Sequence, residues 1–128
     1  MKIEHFAFNV ADPVAVAGWY TKHCDMRVAR SLDRPPYTHF LADSSGQVMI
    51  EIYNNPSDQV PSYGDMNPLL LHLAFVCPEP ETRRAELEKA GATFVDEVCL
   101  DDGSHLVMMR DPWGLAIQLC KRGQPMLV

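Results

Sequence analysis

The chain has 128 residues, of which 47% are hydrophobic and 22% charged, and a formal net charge of −6. That length suits one ordinary domain, long enough to bury a core without disulfides or structural metal and too short for two independent ones. The acidic balance, with no run of Lys or Arg, leaves no electrostatic footprint for nucleic acid or an anionic membrane surface, and no stretch approaches the roughly 18 apolar residues of a membrane span.

Taken in order, residues 2–10 are β-rich. Asp12-Pro13 then supplies a helix start, with a side-chain acceptor at N-cap and a proline at N1, and the helix runs to about His23. Residues 26–30, 38–42 and 47–53 read as strands, the last two joined through the turn formers Asp43-Ser44-Ser45-Gly46. Residues 55–68 are rich in Asn, Pro, Ser, Asp and Gly without apolar periodicity, and read as a linker. The pattern then restarts: a strand over 69–77, a helix opened by Glu79-Pro80 and closed at Gly91, and strands at about 93–98, 104–110 and 115–121. Asp111-Pro112-Trp113-Gly114 forms the last hairpin turn. The division is module 1–54, linker 55–68, module 69–122 and a short tail 123–128. Charged residues interrupt the apolar run at the N-terminus, unlike a signal peptide, and the chain reads as cytoplasmic. Cys24, Cys77, Cys99 and Cys120 form no C-x-x-C pair and read as reduced, buried thiols.

The two modules are copies. An offset of 67 residues carries Ile3-Glu4-His5-Phe6-Ala7-Phe8 onto Leu70-Leu71-His72-Leu73-Ala74-Phe75, and Met49-Ile50-Glu51-Ile52 onto Ala116-Ile117-Gln118-Leu119, with no gap. This singles out His5, Glu51, His72 and Gln118. Strand alternation puts His5, Ala7 and Asn9 on one face, with Phe6, Phe8 and Val10 on the other, where bulk should meet the helix. Met49, Glu51 and Tyr53 likewise lie opposite Val48, Ile50 and Ile52, and the second module repeats the arrangement. All four polar groups therefore fall on helix-free faces, among apolar neighbours, where unpaired burial would cost a few kcal/mol. A divalent cation would satisfy all four. For one isolated histidine an ordinary hydrogen-bonded core role is the commoner one; two at symmetric positions, with Glu51, favour a metal. His23, His39 and His105 read as surface or loop residues, and an even-numbered final hairpin loop would turn His105 to the face of Gln118. Met49, Met108 and Met109 read as core packing, and Trp113 as a rim or dimer contact.

These residues resemble the vicinal oxygen chelate superfamily, which includes glyoxalase I, extradiol dioxygenases, methylmalonyl-CoA epimerase and the fosfomycin- and bleomycin-resistance proteins. Trp19-Tyr20-Thr21-Lys22 with Met26 is similar to the family's F-Y-x-x-x-L-G-M, with Cys24-Asp25 in place of Leu-Gly, and residues 111–119 are similar to its D-P-D-G-x-x-I-E-L. The resemblance implies an α+β fold of two tandem β-α-β-β-β modules whose sheets form an open cup. It places a divalent metal (Zn, Ni, Co, Mn or Fe) on His5, Glu51, His72 and Gln118. The glyoxalase I-like branch is the nearest, and Asn55, four residues after Glu51, matches a substrate-binding asparagine there.

Two departures shape the expected function. Family glyoxalases carry a glutamate where this chain has Gln118, and an amide cannot act as a base. Those acting on glutathione adducts place an arginine where this chain has Asn9. The reading is a metal-dependent lyase or isomerase acting through an enediolate on a small substrate with adjacent oxygens, not a glutathione adduct. Glu51 is the catalytic base, and Asn9, Tyr53 and Asn55 touch the substrate. A metal-free binding protein of the bleomycin-resistance type is the second reading, and an Fe(II) extradiol-type dioxygenase using His5, His72 and Glu51 the third. The expected assembly is a C₂ homodimer, each site taking His5 and Glu51 from one chain and His72 and Gln118 from the other, because lone modules would expose sheet edges and apolar faces.

Overall fold

In a computed structural model, which describes residues 1–127, the element order is β1 (His5–Asn9), α1 (Pro13–His23), β2 (Arg27–Ser31), β3 (His39–Ala42), β4 (Met49–Tyr53), a 3₁₀ turn (Tyr63–Asp65), β5 (Leu73–Val76), α2 (Pro80–Lys89), β6 (Thr93–Cys99), β7 (His105–Arg110) and β8 (Ala116–Lys121). The architecture is the expected α+β pair of β-α-β-β-β modules. Two compact units result, Met1–Pro61 and Ser62–Val128, with their boundary inside the stretch read as a linker. No helix among the described residues is long and apolar enough to cross a membrane.

Local chemistry accounts for the helix ends. Asp12 accepts the amide of Ala15 at 3.0 Å, and Pro13 follows at N1. Glu79 holds the same place before α2 but makes no side-chain cap bond, so the proline and the acidic first turn start that helix. Gly91, with φ of +98°, ends it in the left-handed conformation that a side chain resists.

Each unit carries a four-stranded sheet, ordered β1-β4-β3-β2 and β5-β8-β7-β6, with the first and last strand of the module parallel neighbours. In the first unit α1 packs on β2, β3 and β4, burying Val16, Ala17 and Tyr20 with Leu41, Ile50 and Ile52. In the second, α2 packs on β6, β7 and β8, where Leu87, Val107, Met109, Ile117 and Leu119 are buried. Full burial of each Val, Leu, Ile or Met among these contributes roughly 1.5–3 kcal/mol. Phe8 and Val10 join the first core as alternation requires, whereas Phe6, near the start of an edge strand, stays 55% exposed.

Three features depart from the sequence reading. Residues 69–72 are not strand: Asn67 Oδ1 accepts the amide of Leu69 at 2.9 Å and its carbonyl accepts that of Leu70 at 2.9 Å, so a turn precedes β5 and His72 stands one residue before the strand. The stretch 62–68 is not free linker either. Arg110 donates to the carbonyls of Tyr63 and Gly114 at 2.9 Å each and to that of Met66 at 2.7 Å, clamping the 3₁₀ turn to the last hairpin. Finally, the 67-residue offset holds for the outer strands but slips by one between them. β3 and β4 are separated by six residues and β7 and β8 by five, so Phe40 lies opposite Glu51 while Met108, not Val107, lies opposite Gln118.

Candidate functional site

In the first unit His5 opens β1 and Glu51 lies in the middle of β4, both on the face turned away from α1. His5 Nε2 is 3.2 Å from Glu51 Oε2, and its Nδ1 is 3.0 Å from Glu4 Oε2. The Phe40 ring stands edge-on to the imidazole with centroids 5.8 Å apart. A neutral imidazole carries one N–H and can donate to only one of these carboxylates; the other contact sets a ring lone pair against a carboxylate oxygen. A second ring proton, or a metal cation between Nε2 and Glu51, relieves that opposition. Burial is not what forces it, since the His5 and Glu51 side chains are 34% and 20% exposed and no buried side-chain polar atom among the described residues lacks a partner.

In the second unit His72 Nδ1 is 2.9 Å from the carbonyl of Pro68. A carbonyl only accepts, so Nδ1 carries a proton, and in the neutral ring Nε2 then presents a lone pair, the tautomer that metal-ligating histidines take. Gln118 lies on β8, away from α2, with Oε1 accepting the Cys120 thiol at 3.2 Å. The donor chemistry of two imidazoles, a carboxylate and an amide oxygen suits a divalent ion. Each unit supplies two such donors, and among the described residues no three His, Cys, Asp or Glu side chains are grouped to hold a metal.

The residues expected to touch substrate are tied to one another. Asn9 Oδ1 accepts the amide of Asn55 at 2.9 Å and its side-chain amide approaches the carbonyl of Asp58 at 3.4 Å. Asn55 donates to Asp58 Oδ2 at 2.7 Å and accepts from the Ser57 hydroxyl at 2.8 Å, so both asparagines brace the loop after β4. Tyr53 pairs with Asn9 at the end of the face that bears Glu51. His39 opens β3 with Nδ1 2.7 Å from the carbonyl of Tyr37. His105 is on a strand, opposite Lys121, and the five-residue loop 111–115 turns it to the helix side, where Nε2 meets Glu97 Oε2 at 2.8 Å. Of the cysteines, Cys77 and Cys120 are buried, which pushes both thiols up from their ordinary pKa, whereas Cys99 is exposed.

Sequence reasoning missed two charged residues on these faces. β2 bulges between Val28 and Arg30, and β6 between Phe94 and Asp96. Each bulge advances the strand by one residue, so Arg30 pairs with Phe40 in the row that ends at Glu51, and Asp96 pairs with Met108 in the row that ends at Gln118. Without the bulges both would alternate to the helix side. No local residue pattern announces either one.

The modules, their parallel outer strands and the paired polar rows define a glyoxalase-like fold. The chain belongs to the Glyoxalase/Bleomycin resistance protein/Dioxygenase superfamily, whose family model matches residues 2–119. Among solved structures it is similar to the protein SMU.1112c, at 26% identity and a TM-score of 0.71, covering 94% of this chain and 98% of that one. It also shares its fold with TnmS3, an antibiotic binding protein from Streptomyces sp. CB03234, at 14% identity and a TM-score of 0.73, covering 95% and 96%. A mutant glyoxalase I from Zea mays gives 18% identity and a TM-score of 0.74, over 96% of this chain and 46% of that one. No curated protein matches the chain in sequence at a significant level.

Proposed function

We propose that the protein is a divalent-metal-dependent lyase or isomerase acting on a small substrate with adjacent oxygens, with His5, Glu51, His72 and Gln118 as the metal-holding set. The observation that carries this reading is His5, an imidazole whose two nitrogens both face carboxylate oxygens at 3.0 and 3.2 Å. His72, with Nδ1–H held by Pro68 and no partner on Nε2 among the described residues, supports it from the second unit. When bound, a divalent ion supplies Lewis-acid stabilisation of negative charge on the substrate oxygens.

The chain's own groups do the rest. Glu51 is the one carboxylate among the four, and as the base it takes a proton from carbon and returns it to the neighbouring atom, passing the substrate through an enediolate. Gln118, neutral at any ordinary pH, contributes an oxygen without a base. With Nε2 as the ligating nitrogen, Nδ1 carries the ring proton, and Glu4 Oε2 at 3.0 Å accepts it and fixes the His5 ring. Metal analysis by plasma mass spectrometry, on protein as purified and after soaking in Zn²⁺, Ni²⁺, Co²⁺, Mn²⁺ or Fe²⁺, tests the reading. Stoichiometric metal is expected, and a protein that stays metal-free throughout overturns it.

A cavity of about 250 Å³ beside Gln118 supports the second reading, a small-molecule binding protein that needs no metal. Retention of small ligands by a metal-free protein would favour it.

A further inference from the structure

The cavity beside Gln118 also carries information about what enters it. Its floor is the row Gln118–Met108–Asp96 across β8, β7 and β6, and its walls include Val98, Leu106 and Leu69. Neighbouring strands are about 4.8 Å apart, which separates the Asp96 and Gln118 backbones by about 10 Å, with the buried Met108 thioether between. Asp96 stands on this face because β6 bulges at Val95. One oxygen of its carboxylate accepts the amide of Glu97 at 2.8 Å, and the other has no hydrogen-bond partner among the described residues. Glu97 also borders the cavity, but its carboxylate is drawn to the opposite face by His105 at 2.8 Å. Among the described residues no Lys or Arg lines the space.

Size and charge then limit the ligand. An apolar cavity of about 150 Å³ accepts benzene, so the 250 Å³ here takes one ring or branched alkyl group with a short polar arm. In the metal-free protein, a wall whose free charge is a carboxylate, with no Lys or Arg to offset it, repels anions and attracts an ammonium or a hydroxyl donor. A tripeptide thiol adduct is both too large and anionic.

The geometry points to a ligand pocket for a small apolar molecule bearing a cationic or hydrogen-bond-donating arm, with Asp96 as the residue that selects it. This rests on the proposed function only in taking Gln118 as the end of the pocket nearest the chemistry. The test is a titration of metal-free, isotope-labelled protein with benzylamine, benzyl alcohol and benzoate, followed by amide NMR shifts. Benzylamine should bind best and shift Val98, Leu106, Met108 and Gln118, benzyl alcohol should bind more weakly, and benzoate should not bind. Asp96→Asn should weaken benzylamine binding about tenfold or more, to the level of benzyl alcohol. Leu106→Trp, which fills the space, should abolish binding of all three.

Benzoate binding as well as benzylamine, an Asp96→Asn variant that keeps the preference, or no binding of any probe each overturns the assignment. Metal content measured on the same samples separates the two ideas. A protein that selects benzylamine through Asp96 yet stays metal-free after soaking sinks the metal reading alone, and a protein that takes up metal on soaking yet is indifferent to ligand charge before it is loaded sinks the pocket alone.

Discussion

His5 Nε2 lies 3.2 Å from Glu51 Oε2, across two parallel strands whose register sets Ala7 opposite Glu51 and His5 opposite Met49. The same register recurs in the second unit, where Ala74 lies opposite Gln118. Removing either imidazole takes away a nitrogen donor that the amide of Gln118 cannot replace. His5→Ala and His72→Ala should each lower M²⁺ affinity more than about 100-fold, and Glu4→Gln, which only loosens the His5 ring, about tenfold. Competition against a chromophoric chelator measures all three. Equal affinities for the histidine variants and the wild type would place those residues outside the metal shell.

Gln118→Glu should tighten M²⁺ binding. A unit charge a few Å from a divalent ion is worth several kcal/mol at an effective dielectric constant of about 20, before desolvation, so a gain of at least about tenfold is expected. The same chelator titration reads it, and an unchanged constant would mean that Gln118 does not touch the ion. The added carboxylate also supplies a second base, so new turnover of hemithioacetal substrates is worth assaying in this variant.

Assembly can be tested through chain mixing. We expect a C₂ homodimer whose sites combine His5 and Glu51 of one chain with His72 and Gln118 of the other. A mixed dimer of His5→Ala and His72→Ala chains would then place both lesions in one site and leave the second intact, recovering about half the metal sites. If exchange is demonstrated by mass and no site returns, the ligand set is built within each chain.

Gly114 has φ of +93°, and a Cβ there would sit 2.6 Å from the Gly64 nitrogen, where the 3₁₀ turn crosses the last hairpin. Gly91 has a similar φ, yet its Cβ would meet only the Pro112 side chain, at 3.5 Å from Cγ and 3.9 Å from Cβ. Gly91→Ala should cost about 1–2 kcal/mol from backbone strain. Gly114→Ala should cost clearly more, because backbone must move and the Arg110 bonds to Tyr63 and Met66 are strained with it. Urea denaturation ranks the two, and equal losses would show that the turn yields freely.

Asp102 accepts the Ser104 amide at 2.8 Å and its hydroxyl at 3.0 Å, which holds the carboxyl below its ordinary range. A folded-state value below the unfolded one adds stability that is fully present above the usual carboxylate pKa of about 4 and is lost as pH falls through the depressed value. The stability deficit of Asp102→Asn relative to wild type should therefore be larger at pH 7 than at pH 2.5. A deficit that does not change across this range would show that the Asp102 charge contributes nothing.

Much of this protein is legible in its residues. Asp12-Pro13, Glu79-Pro80 and Gly91 mark helix ends by chemistry that acts within one turn, and period-two alternation assigns His5, Glu51 and Gln118 to the helix-free faces because side-chain direction along a strand is a local property. The repeat established two modules before any contact was known. Tertiary structure decided what depends on counting across a turn or a bulge. One residue fewer in the β7–β8 loop than in the β3–β4 loop brings Met108 beside Gln118 and sends His105 to meet Glu97. The bulges in β2 and β6 bring Arg30 and Asp96 onto faces that strict alternation denies them. A one-residue slip reverses the face of every side chain beyond it. Its energetic preference comes from burying Leu41, Val107 and Met109 against the helices, contacts between residues far apart in the chain that no local pattern records.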